Sequence, residues 1–201
     1  MIDTLVIATR NRHKVEEIRA ILAPLGVTVR DLSDVPGCPD VEETGITLEE
    51  NALLKARAAH ACSGLPVIAD DTGLEVYYLL GVPGVFSARY AGENATYADN
   101  CRKLLRALVG VPSRRRQARF RTVVAFVEKG RELLFDGTIE GKIGLAERGG
   151  NGFGYDPLFI PEGYTRTYAE LTLDEKNRIS HRGLAVQKFR DFLDTSGRSL
   201  P

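Results

Sequence analysis

No charge of either sign dominates this chain: 27 lysines and arginines stand against 27 aspartates and glutamates. Without a global field to gather nucleic acid or anionic lipid, neither is expected as a partner, and any anion site must be local. No apolar run is long enough to cross a membrane. The short stretch from Met1 to Ala8 is broken at once by Thr9, Arg10 and Asn11, so no secretory leader is expected and the setting read from it is the cytoplasm. The three cysteines, Cys38, Cys62 and Cys101, never take Cys-x-x-Cys spacing. That excludes a zinc knuckle and gives no sign of a disulfide framework, leaving small buried fillers as the expected role. A Gly-x-x-x-x-Gly-Lys-Ser/Thr phosphate loop is also missing. What remains is ordinary globular composition over 201 residues, enough for one domain of one or two lobes.

The most informative stretch is Val67-Ile68-Ala69-Asp70-Asp71-Thr72-Gly73-Leu74. A short apolar run after Pro66 reads as a buried strand, and two adjacent carboxylates emerge at its end. Paired acids there suit a metal; an Asp-Thr-Gly turn, with side chains bonded to the local backbone, explains the same residues without one. Alternation along a strand sends neighbours to opposite sides, so adjacency does not say which aspartate would take a proton.

Other polar stretches weigh on that choice. Leu5–Ala8 reads as a strand and Asn11–Leu22 as a helix with Val15, Ile18, Ile21 and Leu22 on one face. Between them, Thr9-Arg10-Asn11-Arg12-His13-Lys14 puts a hydroxyl, an amide and cations at a helix start, where phosphate binds favourably and where Asn11 can equally serve as a cap. Thr47 and Glu50 form a capping box before a helix striped by Ala52, Leu53, Ala56 and Ala59. Glu42 and Glu43 lie ahead of that box without an evident structural task, and oxygen ligands of this kind suit Mg²⁺. Lys55 on the same helix is a weaker phosphate candidate, since helical lysines are usually solvated. Thr96 and Asp99 open another capped helix, while Arg114-Arg115-Arg116 reads as a solvated turn. Phe120–Val127 and Glu132–Leu145 read as strands in hairpin spacing, which makes the sheet mixed. Gly149-Gly150-Asn151-Gly152 reads as a flexible run into Phe153-Gly154-Tyr155-Asp156, which suits either a base platform or a packed corner. Arg89, in the turn-rich loop from Gly81 to Gly92, can meet either a phosphate or a loop carboxylate. Ser180 caps a terminal helix whose first turn carries His181 and Arg182.

Together these stretches resemble the inosine triphosphate pyrophosphatase family. The match runs in order through Thr9–Lys14, Glu42–Ala52, Ala69–Leu74, Pro83–Tyr90, Phe153–Phe159 and Glu175–Arg182, with Arg10 and Thr72 where many members carry glycine and serine. The resemblance implies an α/β fold with an elongated mixed sheet flanked by helices, and two lobes with the active site in the cleft between them. It further implies a single catalytic domain over residues 1–195 before a frayed tail at 196–201, a homodimer, and Mg²⁺-dependent hydrolysis of inosine, deoxyinosine and xanthosine triphosphates to monophosphate and pyrophosphate. Carried over by position, Asp71 is the general base with Asp70 in support, and Glu42 and Asp71 are the metal carboxylates. Thr9, Arg10, Asn11, Arg12, His13, Lys14, Lys55, Thr72, Lys176, His181 and Arg182 hold the substrate, and Phe153, Gly154, Tyr155 and Asp156 line the base pocket.

The chemistry is consistent with that assignment. Attack of water on the α-phosphorus needs an oriented water, oxygen-ligated metal and cations on the leaving pyrophosphate, for which Lys14, Lys176 and Arg182 are at hand. Choosing a 6-oxo over a 6-amino purine needs fixed donors facing the oxygen, sought here between Ser180 and Arg182. Two other readings stand beside this one: a nucleotide-binding module without turnover, and a pyrophosphatase for modified pyrimidine triphosphates, as in the fold-related septum-inhibitor proteins.

Overall fold

A computed structural model describes residues 2–198. The local signals explain most of its elements. Strand β1 is Thr4–Ile7, and helix α1 is Arg12–Leu22, capped by Asn11, whose side chain accepts from the backbone N–H of His13 and Lys14. Strand β2 is Thr28–Asp31. Helix α2 spans Leu48–Ser63 behind the Thr47/Glu50 capping box, and Gly64 closes it in the left-handed region. Strands β3 (Val67–Val76) and β4 (Pro83–Gly84) follow, then α3 (Tyr97–Ala107), again behind its expected box of Thr96 and Asp99. Strands β5 (Gln117–Glu128) and β6 (Arg131–Ile143) are joined by Lys129 and Gly130, both at positive φ, the two-residue turn whose twist suits a hairpin. Strand β7 is Phe159–Pro161, α4 is Leu173–Ile179 and α5 is His181–Arg198. Residues 199–201 of the expected tail lie outside the described residues, and 196–198 continue the backbone of α5.

The strands hydrogen-bond in the order β2-β1-β3-β5-β6-β7, with β4 on β3. Pairing is parallel between β1 and β2 and between β1 and β3, and antiparallel for β3 with β4 and β6 with β7, so the sheet is mixed as expected.

Two compact units divide the chain. Among the described residues the first holds 2–71, 122–137 and 182–198; the second holds 72–121 and 138–181. Each has its own core. In the first, Leu5, Ile7, Ile18, Leu22, Ile68, Phe126, Val186 and Phe189 pack together, bringing α1 and α5 onto the strands. In the second, Leu74, Leu104, Leu108, Phe120, Leu158, Phe159 and Tyr168 do so.

Three sequence expectations are corrected. Cys38 and Cys62 form a disulfide with their Cα atoms 5.6 Å apart, so two of the three fillers are a cross-link between a loop and the end of α2. Cys101 alone is the buried thiol, donating to the Gly154 carbonyl at 3.3 Å, and burial pushes its pKa up to about 12. Arg116 is no solvated turn residue. It is buried and donates to the carbonyls of Leu108 at 2.7 Å, Gly144 at 2.8 Å and Val111 at 2.9 Å, satisfying backbone oxygens that would otherwise be stranded. The run from Gly149 to Gly152 is a packed corner. The N–H groups of Gly150 and Asn151 both donate to the Ala169 carbonyl, and a Cβ on Gly149 would meet that peptide at 2.3 Å.

Candidate active site

In the first unit, β3 delivers two aspartates to different surroundings. Asp70 faces a buried cluster. Nε and Nη2 of Arg182 each lie 3.0 Å from its Oδ2, Lys14 Nζ lies 3.0 Å from the same oxygen, and Arg182 Nη1 donates to Glu17 Oε2 at 2.6 Å. All but Lys14 are nearly inaccessible, and Lys14 keeps about 17% of its side chain exposed. Burial alone would raise the Asp70 pKa, but Lys14, Arg182 and Lys55 outweigh it and hold the carboxyl well below the usual carboxylate range. Asp70 is therefore a fixed anion. For Lys14 the balance runs the other way: burial, helped by Lys55 and Arg182, lowers its pKa despite Asp70.

Asp71 meets α2 instead. Its Oδ1 accepts from Lys55 Nζ at 2.9 Å, and Lys55 also donates to Glu43 Oε1 at 2.7 Å. Its Oδ2 lies 3.4 Å from Asn51 Nδ2. Burial raises the Asp71 pKa against the pull of Lys55, with Glu43 adding to the rise. Lys55, in turn, is held charged: burial works against it, but Asp71 and Glu43 together raise its pKa. One aspartate is thus locked as a charge, while its neighbour sits where a proton is accepted more readily. Such divergence between adjacent acids separates a structural charge from a candidate base.

The expected binding residues fall into several situations. Asn11 caps α1, and Arg12 and His13 are exposed on its first turn. Half-buried Thr9 accepts from the Asn11 N–H through its hydroxyl at 3.2 Å. Arg10 is turned to the preceding loop, donating to Asp40 at 2.8 Å and to the Cys38 carbonyl at 2.9 Å. Glu42 is exposed, whereas Glu43 is the carboxylate that reaches Lys55. Arg182 spends its guanidinium on Asp70 and Glu17.

The second unit holds the remaining candidates. Asp156 is buried, accepts from the Phe153 N–H at 2.9 Å and forms an ion pair with buried Lys176. Lys176 Nζ lies 4.9 Å from the centre of the Phe153 ring, so one carboxylate fixes both a half-buried aromatic and a cation beside it. Tyr155 belongs to the packed corner: it is buried and donates its hydroxyl to the Ser87 carbonyl at 2.9 Å. Gly154, at φ 62°, turns the chain between them, and Thr72 is half-buried on β3. Buried His181 stacks on Phe120 with centroids 4.4 Å apart and planes 15° from parallel. Ser180 ends α4 and directly precedes α5. Arg89 meets Glu93 at 3.7 Å and lies over the Phe86 ring, consistent with the structural alternative.

Glu17 and Asn51 were not singled out by sequence reasoning as site residues, and Glu43 was weighed beside Glu42 as a metal-suited loop carboxylate but not carried over with it. Glu17 carried a signal: three residues after Lys14 and four before Ile21, it is a charge on the stripe that packs inward. Asn51 carried one too, four residues before Lys55 and therefore on the same side of α2.

Fold and site together define a mixed α/β protein whose chemistry centres on buried carboxylates paired with lysines in the middle of an interior strand, which continues to Val76 where the sequence suggested that it ends at the two acids. The model of the Ham1 family matches residues 5–192, and the chain belongs to that family. It is 50% identical over 189 residues to the dITP/XTP pyrophosphatase of Thermoanaerobacter pseudethanolicus, covering 94% of this chain and 96% of the relative. It is 51% identical over 191 residues to the dITP/XTP pyrophosphatase of Porphyromonas gingivalis, covering 95% and 97%. Among solved structures, a HAM1 protein from Coxiella burnetii superposes with a TM-score of 0.87 at 42% identity, covering 97% of this chain and all of that one. The Ham1 protein of Staphylococcus aureus gives 0.85 at 40%, covering 96% and 99%.

Proposed function

We propose that this chain hydrolyses aberrant purine nucleoside triphosphates, deoxyinosine, inosine and xanthosine triphosphates among them, to the monophosphate and pyrophosphate. The observation that carries the reading is Asp71, a buried carboxylate with a raised pKa held at both oxygens by α2. Curated relatives of half-identical sequence and nearly equal length carry the dITP/XTP pyrophosphatase name, which supports the substrate class.

In this reading Asp71 accepts a proton from the water that attacks the α-phosphorus. The bond from that phosphorus to the bridging oxygen breaks, and pyrophosphate leaves with the electron pair. Lys14, the accessible cation of the first unit's cluster, stabilises phosphate charge, while Arg182 acts behind it by holding Asp70. Phe153 offers a face for a base, and Lys176, fixed by Asp156, a positive charge beside it.

Mg²⁺ fits the donor chemistry. Among the described residues no group of three or more His, Cys, Asp and Glu side chains gathers in ligand geometry, so the protein's share is small, and Mg²⁺ commonly binds through one or two carboxylates plus phosphate and water. Glu43 and Asp71, which already converge on one lysine, would hold it. Bound there, it would neutralise phosphate charge.

We propose a homodimer as the working state, supported by a run of exposed apolar residues in the second unit: Tyr77, Tyr78, Val82, Phe86 and Leu80, the last 95% exposed. Among the described residues no helix is long and apolar enough to cross a membrane, and the nucleotide substrates point to the cytoplasm. Incubation with deoxyinosine, xanthosine, adenosine and modified uridine triphosphates, with and without Mg²⁺, tests the proposal. Pyrophosphate is expected from the first two with Mg²⁺, and binding without product would refute it.

A further inference from the structure

Asn51 is fully buried on α2, one turn before Lys55. Its Oδ1 accepts the backbone N–H of Gly45 at 2.8 Å, and its Nδ2 lies 3.4 Å from Asp71 Oδ2. A backbone N–H can only donate, so the amide oxygen must face Gly45 and the NH₂ must face Asp71. Lys55 repeats the pattern one turn on, reaching Glu43 on one side and Asp71 Oδ1 on the other. Helix α2 therefore spans the gap between the Glu43–Gly45 loop and Asp71 with two parallel links, each holding one oxygen of the same carboxylate. The fit around the amide is close: a Cβ on Gly45 would stand 2.6 Å from Asn51 Oδ1 and 2.7 Å from Glu50 Cβ.

From this geometry we infer that Asn51 is a positioning residue for Asp71, coupling the orientation of that carboxylate to the seating of the Glu43–Gly45 loop. The inference rests on the role given to Asp71 above. Lys55 supplies charge, and the amide supplies direction. A carboxylate gripped at Oδ1 alone can swing about that contact, whereas a second donor at Oδ2 fixes its plane. When the loop shifts, the Gly45 N–H withdraws from Oδ1, the amide loses its anchor, and Asp71 loses the donor at Oδ2. The long Nδ2–Oδ2 distance is of the kind that tightens when substrate binds.

Three variants test this, with kcat and KM measured on deoxyinosine triphosphate and folding followed by thermal melting. Asn51→Asp keeps the acceptor for Gly45 but replaces the donor with an acceptor. Gly45→Ala displaces the amide from the opposite side and leaves Asp71 untouched. Asp71→Asn is the reference for the underlying reading. Folded Asn51→Asp and Gly45→Ala proteins are expected to lose about ten- to a hundredfold in kcat with KM changed by less than about threefold, the scale of one hydrogen bond to a charged group. If Asn51→Asp does not fold, Gly45→Ala decides alone. Parental kcat in the folded variants, or a loss carried wholly by KM, overturns the inference while an inactive Asp71→Asn leaves the pyrophosphatase reading standing. A fully active Asp71→Asn removes the inference together with the role given to Asp71, while the hydrolysis itself stands.

Discussion

Arg182 at the start of α5 closes on Asp70 at the middle of β3 with two nitrogens, both 3.0 Å from the same oxygen and 112 residues away in sequence. The guanidinium is completed by Glu17 from α1, so two helices and a strand meet on a charged cluster with almost no solvent access. Burying an ion pair contributes little net stability compared with apolar packing, yet removing one member leaves a charge without compensation. The cluster is better understood as a device that fixes where β3, α1 and α5 stand around Asp71.

Breaking that cluster should therefore unfold the protein more readily. Glu17→Ala is expected to lower stability by about 3 kcal/mol, read as a lower urea midpoint with an unchanged slope. Glu17→Gln, which keeps an acceptor for Arg182, should lose less.

Acid should act through Asp70. Its folded pKa lies below its unfolded value of about 3.9, so the folded state binds fewer protons and gains stability at pH values above that range. The contribution is complete at neutral pH, begins to fall near about pH 4, and is lost as the pH drops through the folded value. Melting temperatures from pH 7 down to 3 should show this acid limb, and Asp70→Asn should flatten it while lowering the neutral plateau.

Asp71 runs in the opposite sense. Burial has raised its pKa, and Lys55 is the main group restraining the rise. Lys55→Met removes that restraint, so the acid limb of kcat/KM should move to higher pH. The measurement is the pH profile of the two proteins, with the loss in the variant expected to be largest at the acid end and to shrink as the pH rises.

Reduction of Cys38–Cys62 should loosen the chain between the loop and α2. The bond closes a 24-residue loop, worth roughly 3 kcal/mol in chain entropy. Melting with and without a dithiol, repeated on Cys62→Ser, should show a drop in the parent protein and no response in the variant.

Much of this was legible beforehand wherever function and local structure use the same residues. Asn11, Thr47 with Glu50, and Thr96 with Asp99 announced three helix starts because capping is short-range chemistry, and Lys129-Gly130 announced the hairpin for the same reason. Long-range pairings were hidden. Nothing local tells that Arg182 faces Asp70 rather than a phosphate, that Arg116 turns inward to three carbonyls, or that Cys38 meets Cys62. The choice between Glu42 and Glu43 was equally closed, since neighbouring loop residues differ only in which way the backbone aims them. Likewise α4 passed unread although Thr172 and Glu175 form a capping box, because at seven residues it has too few turns to show an apolar stripe.

The central claim is that Asp71 takes the proton while Asp70 only holds charge. The direct measurement is single-turnover release of pyrophosphate from deoxyinosine triphosphate by Asp71→Asn, with substrate binding measured on the same protein. The account predicts a folded protein that still binds the nucleotide and has lost at least about a hundredfold in rate. A folded Asp71→Asn protein that releases pyrophosphate at the parental rate would contradict it.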